Sequence, residues 1–132
     1  MELISIKDYI ERIMDKNEFQ ILKEEIKLKN LEVDIISDSM GPYIKVGQAV
    51  EVTRVDDEFL KPFDIIIFRG VNNKLICHFI LKVIDDYIIT CSTKNIKNRD
   101  LPILKDNLLG KVVGIELPFF IKLKVFFYYL FS

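Results

Sequence analysis

Ser39 and His78 are the residues of this sequence whose side chains could do chemistry together. A serine hydroxyl is a weak nucleophile that needs a base within hydrogen-bond reach and donors for the oxyanion. The chain holds one histidine, so His78 is the only imidazole that could act as that base. It sits in Leu75-Ile76-Cys77-His78-Phe79-Ile80-Leu81, an otherwise apolar run. Side chains alternate faces along a strand, so His78 points away from Cys77 and Phe79, and Cys77 does not suit a thiol-imidazole dyad. Neither residue is decisive alone. A lone histidine in an apolar strand is more often structural than catalytic. A serine just before Gly41-Pro42 is usually a turn residue. One histidine with Cys77 and Cys91 offers at most three zinc ligands, at a spacing unlike a closed site. No metal or cofactor is expected, and the cysteines read as small buried hydrophobes in a reducing compartment.

The elements that must position these residues follow from the apolar pattern. Residues 5–29 read as helix, either one helix or two meeting near Asn17. Ser5 is the N-cap with Asp8 three residues on, and Ile6, Tyr9, Ile10, Ile13 and Met14, then Phe19, Leu22 and Ile26, recur at helical spacing. From Leu31 the pattern changes to strands, at 31–36, 48–55, 63–69, 74–84, 87–92 and 111–117. Turn material separates them: Gly41-Pro42, Asp56-Asp57-Glu58, Gly70 to Asn73, Asp85-Asp86 and Lys94 to Asp106. Asn72-Asn73 and Asp85-Asp86 read as hairpin tips. Short turns with no intervening helices predict a mainly β, mostly antiparallel domain. The expected organisation is a helical segment over 1–30, a β-domain over 31–117 and a hydrophobic tail over 118–132.

Composition narrows the function classes. A chain of 132 residues supports one core, and 50% hydrophobic with 30% charged residues excludes a disordered chain or a multi-span membrane protein. The net charge is −1 and the lysines are dispersed, so no nucleic-acid partner is expected. The start, Met1 to Asp8, lacks a basic region followed by an apolar run and is not read as a cleavable signal peptide. The tail from Leu117 to Phe131 is rich in aromatics and carries Lys122 and Lys124. It suits either membrane contact through 117–131 or a cover over the sheet. The location is accordingly membrane-associated or cytoplasmic. Nothing in the residues specifies an oligomeric state.

Five segments, taken in order, resemble the signal peptidase family. Ser37-Asp38-Ser39-Met40-Gly41-Pro42, followed by Gly47-Gln48-Ala49-Val50, is similar to its nucleophile segment and the strand after it. Phe63-Asp64-Ile65-Ile66-Ile67-Phe68 resembles its Gly-Asp-Ile-Val-x-Phe strand. Cys77-His78-Phe79-Ile80 resembles Val-His-Arg-Ile, Thr93 to Asp100 resembles Thr-Lys-Gly-Asp-Asn-Asn with a trailing Asp, and Leu108 to Val112 resembles Ile-x-Gly-Lys-Val. The match runs over 31–116. Some members of this superfamily, which includes the LexA-type repressors, use a lysine base. His78 places the chain with the histidine branch, of endoplasmic-reticulum and archaeal type. The resemblance implies a signal peptidase/LexA-like antiparallel β-fold. It implies Ser39 as nucleophile, His78 as general base and Asp100 as the acid that orients it. Ser37 and the Ser39 N–H would form the oxyanion hole, with Met40 and Pro42 along the substrate groove. The expected activity is a serine endopeptidase cleaving a signal or leader peptide, or preprotein, bound in extended form.

The chain departs from the pattern at Phe63, Phe79 and Asn95-Ile96, and at Gln48 after Gly47. The Asn95-Ile96 departure leaves Asp106 as a second candidate acid. Lys82, four residues past His78, would share its strand face about 13 Å along. Two other readings stay open: a catalytically inactive β-domain that binds a peptide or protein partner, and a membrane-associated structural protein in which the tail matters most.

Overall fold

A computed structural model describes residues 4–5, 15–70 and 72–130. The fold is mainly β. Eight strands form one sheet: β1 (Ile4–Ser5), β2 (Leu31–Asp34), β3 (Ala49–Thr53), β4 (Ile65–Arg69), β5 (Leu75–Ile84), β6 (Tyr87–Cys91), β7 (Ile103–Leu104) and β8 (Leu108–Val112). Their spatial order is β1-β2-β3-β8-β4-β5-β6-β7. The two-residue β1 runs parallel to β2, and every other neighbouring pair is antiparallel. Helix α1 (Lys16–Leu28) precedes β2, and helix α2 (Phe119–Leu130) follows β8.

Strand β4 explains the layering. Its residues Ile65 to Phe68 are all buried, and alternate ones enter different clusters. Ile65 and Ile67 join the larger cluster, to which α1 contributes Phe19, Leu22 and Ile26 and α2 contributes Ile121 and Val125. Ile66 and Phe68 join a smaller cluster with Leu60, Ile80, Ile88, Ile103 and Leu108. A strand covered on both faces has no polar positions to alternate, which is why this run reads as continuously apolar.

The helical reading of 5–29 is borne out only over Lys16–Leu28; residues 6–14 lie outside the described residues. The cap of this helix is Asp15, whose side chain accepts from Glu18 N at 2.8 Å. Ser5 is in strand β1 rather than at a helix start. The last strand spans 108–112 rather than 111–117. Gly110 sits inside it because a Cβ there would lie 2.5 Å from the Thr53 carbonyl and 2.8 Å from Ile26 of α1. Just past the strand, Gly114 has a φ of +79°. The 85–86 hairpin is as expected: Ile84 pairs with Tyr87, and Asp85 takes the left-handed φ of +52° that a two-residue loop demands. The tail is a helix docked into the larger cluster, and among the described residues no helix is long and apolar enough to cross a membrane.

Candidate active site

His78 lies on β5 opposite Ile66 of β4, on the face of the smaller cluster, and its ring meets Phe68 edge-on at 6.0 Å. Thr90 is brought to the same face because β6 pairs Thr90 with Ile80. The loop after β6 returns to the sheet where Asp100 N donates to Thr90 O at 2.9 Å. That bond delivers the Asp100 carboxylate to His78. Asp100 Oδ2 accepts from His78 Nδ1 at 2.5 Å and from Thr90 Oγ1 at 2.6 Å. An ionised carboxylate only accepts, so Nδ1 carries the imidazole proton and Nε2 is left free to act as a base. Burial pushes the Asp100 carboxyl up, but hydrogen bonds from His78 and Thr90 and the imidazole's charge outweigh it and hold the group below its usual range. Asp106 sits elsewhere, in a short 3-10 turn over Lys105–Asn107, with its carbonyl accepting from Lys23.

Ser39 stands in a tight loop between β2 and β3. Gly41 N donates to Asp38 O, and Tyr43 N and Ile44 N donate to Met40 O, which winds the chain around the serine. The loop is fastened from outside by Thr93 and Lys94. The Thr93 hydroxyl donates to the carbonyls of Ser39 at 3.3 Å and Gly41 at 3.0 Å, and Lys94 N also donates to Ser39 O. The same 92–100 loop thus holds the serine at one end and the aspartate at the other. Ser37 Oγ and Ser39 Oγ are 3.1 Å apart. Among the described residues, the Ser39 N–H has no hydrogen-bond partner, and Ser39 Oγ bonds Ser37 rather than His78.

Ser37, Ser39 and His78 line one cavity of about 280 Å³. Its lining includes the segment from Ile35 to Ser37, β5 from Leu75 to His78, and Ile67, Asn72 and Lys74. Strand β6 pairs with β5 only from Phe79 onward, so among the described residues the outer edge of Leu75–His78 has no strand neighbour.

The expected groove residues take other places. Met40 is 1% exposed in the larger cluster, so it supports the serine loop from beneath rather than lining the cavity. Pro42 is exposed and is also absent from the cavity walls. Lys82 does not share His78's face. A bulge between Ile80 and Lys82 resets the alternation, so Val83 joins the smaller cluster and Lys82 turns to the opposite face. Cys77 packs against the larger cluster, and burial pushes its thiol up to about 12; burial also lifts Cys91, to about 11. Neither thiol is a nucleophile at neutral pH.

Two departures from the resemblance acquire a structural account. Phe63 stands where glycine is expected, and its φ of +73° is in the left-handed region that favours glycine. Stacking with Phe79 at 6.3 Å and the Lys122 ammonium over its ring at 5.9 Å hold it there. Ile96, in place of a polar turn residue, is 8% exposed and joins the larger cluster, so the 92–100 loop is anchored by apolar packing. Two matched segments also meet: Lys111 Nζ lies 3.1 Å from Asp64 Oδ1, and Asp64 is 6% exposed. Thr90 and Thr93 are the residues of the site to which sequence reasoning gave no role. Neither the known protein families nor the curated proteins include a match to this sequence.

Proposed function

We propose that this chain is a serine endopeptidase of signal-peptidase-like type, acting on a signal or leader peptide held in extended conformation. The observation that carries this reading is the Thr90–Asp100–His78 chain of hydrogen bonds, which ends at a cavity shared with Ser37 and Ser39. In the proposed reaction Ser39 Oγ turns from Ser37 toward His78, gives its proton to Nε2 and attacks the scissile carbonyl. Asp100 holds the imidazole in the tautomer that can accept and stabilises the imidazolium. The negative charge that develops on the carbonyl oxygen meets the Ser39 N–H and the Ser37 hydroxyl. His78 then protonates the leaving amine, and water releases the acyl group by the reverse sequence. A peptide strand laid between Ile35–Ser37 and the open edge of β5 would pass its carbonyl beside Ser39.

Labelling with a fluorophosphonate probe tests the reading. Wild type is expected to label, Ser39→Ala not at all, His78→Ala at least about a thousandfold more slowly, and Ser37→Ala about a hundredfold more slowly. Labelling that persists in Ser39→Ala would sink it. The inactive, peptide-binding alternative is favoured by one specific observation, the Ser37–Ser39 bond that occupies the hydroxyl. It predicts peptide binding with no labelling of wild type.

A further inference from the structure

We propose that the outer face of α2 is a membrane-docking surface that seats this chain peripherally on an anionic lipid leaflet. This inference does not depend on the peptidase reading. Helix α2 is apolar nearly all round, yet only one side of it is used by the fold. Ile121 and Val125 enter the core, while Phe119, Phe120, Leu123, Phe126, Phe127 and Leu130 are exposed, Phe119 at 73%. At 3.6 residues per turn those six fall within an arc of about 120°. Removing such side chains from water is favourable, so a face of this kind is a standing driving force for association.

Charge decides the occupant. Lys122 and Lys124 flank the apolar arc, each about 40° beyond one of its edges. Exposed Lys124 extends its stem along the apolar surface and keeps its ammonium in a polar layer, the arrangement of an interfacial helix, while Lys122 keeps its ammonium over the Phe63 ring at the other edge. No acidic residue follows Glu116, although the whole chain has a net charge of −1. The groove beside the helix adds Lys82, Lys97 and Arg99 on the same rim as Phe126 and Leu130. A second copy of the chain meeting this face about a two-fold axis would set these cations against their own images, with no carboxylate on the helix to answer them. Anionic headgroups complement both the apolar arc and its basic rim. Ile121 and Val125 hold the inner side of the described helix in the core, so its outer face meets a leaflet with the domain lying alongside.

Flotation of the 132-residue chain with vesicles of phosphatidylcholine containing about one third phosphatidylglycerol tests the proposal. Wild type is expected to float with these vesicles and to bind pure phosphatidylcholine at least about tenfold more weakly. Phe120→Asp with Phe127→Asp is expected to abolish flotation with the circular dichroism and Tm of wild type retained, and Lys124→Glu to weaken it about tenfold. Should the double variant not fold, Phe127→Ser carries the test, with an expected loss of about tenfold. Equal binding to both vesicle types, no binding to either, or flotation indifferent to these substitutions overturns the proposal. So does a dimer in sedimentation equilibrium that ignores vesicles and dissociates on Phe127→Ser, which would give the face to a second copy.

Discussion

Asp100 Oδ2 accepts two hydrogen bonds, and only one of them comes from the imidazole. The other, from a Thr90 hydroxyl with no exposed surface, fixes the carboxylate in place and favours its ionised form. Thr90→Val keeps the shape and removes the donor. It is expected to cost about 1–2 kcal/mol of stability and to let the Asp100 carboxyl rise toward its ordinary range. The fluorophosphonate labelling rate should fall about tenfold, and the Asp100 carboxyl, followed by its carbon-13 shift, should titrate at higher pH than in wild type. A purely structural Thr90 would lower Tm and leave the Asp100 titration unmoved, so that titration is the deciding measurement. The meeting of His78 with Asp100, and of Ser39 with His78 on one cavity, was legible in the sequence because each residue occupies a recognisable segment. Thr90 was not, since a threonine among Tyr87, Ile88, Ile89 and Cys91 is indistinguishable from ordinary strand composition. Met40 was misplaced for a related reason: a motif specifies residue types and order, while burial is decided by what later strands lay against it.

The 92–100 loop acts as one element, and α2 closes over it. Tyr129 Oη donates to Ile96 O at 2.6 Å, and Ile96 itself is packed in the core beneath. Tyr129→Phe removes that bond and leaves the ring. Stability should fall by about 1 kcal/mol, and the Asp100 amide should exchange its hydrogen faster, because its bond to Thr90 O depends on the loop staying down. Mass-spectrometric hydrogen exchange over 92–100 checks this; unchanged protection would mean that the loop stays down without the Tyr129 bond. Strands β2 to β6 were legible because Val- and Ile-rich runs are cut by strong turn residues. Strand β7 was not, because two residues, Ile103 and Leu104, inside a long loop have too little periodicity to read. The apolar pattern displaced the last strand toward its C-terminal end, whereas the Leu108 to Val112 segment of the resemblance coincides with it; Gly110 is a close-approach site inside that strand.

At the scale of the whole molecule, the site couples folding to pH. An unfolded aspartate titrates near about 3.9. The folded Asp100 carboxyl lies below its ordinary range: burial opposes the ionised form, and the bonds from His78 and Thr90 with the imidazole's charge more than offset that. Between the folded and unfolded values the unfolded chain binds more protons, so stability falls as pH falls. The contribution is fully present above the unfolded value and is lost as pH drops through the folded one. Other carboxylates in the chain share in acid unfolding, so the test must isolate this group. Asp100→Asn takes away the ionised form and is expected to lower the urea midpoint at neutral pH. The difference from wild type should shrink as pH falls from the ordinary aspartate range toward the lower pH at which the folded carboxyl takes up its proton. Two curves that stay parallel down to that pH would mean that the His78 and Thr90 bonds do not favour the ionised form. The site would then lack the fixed negative charge that the proposed imidazolium requires.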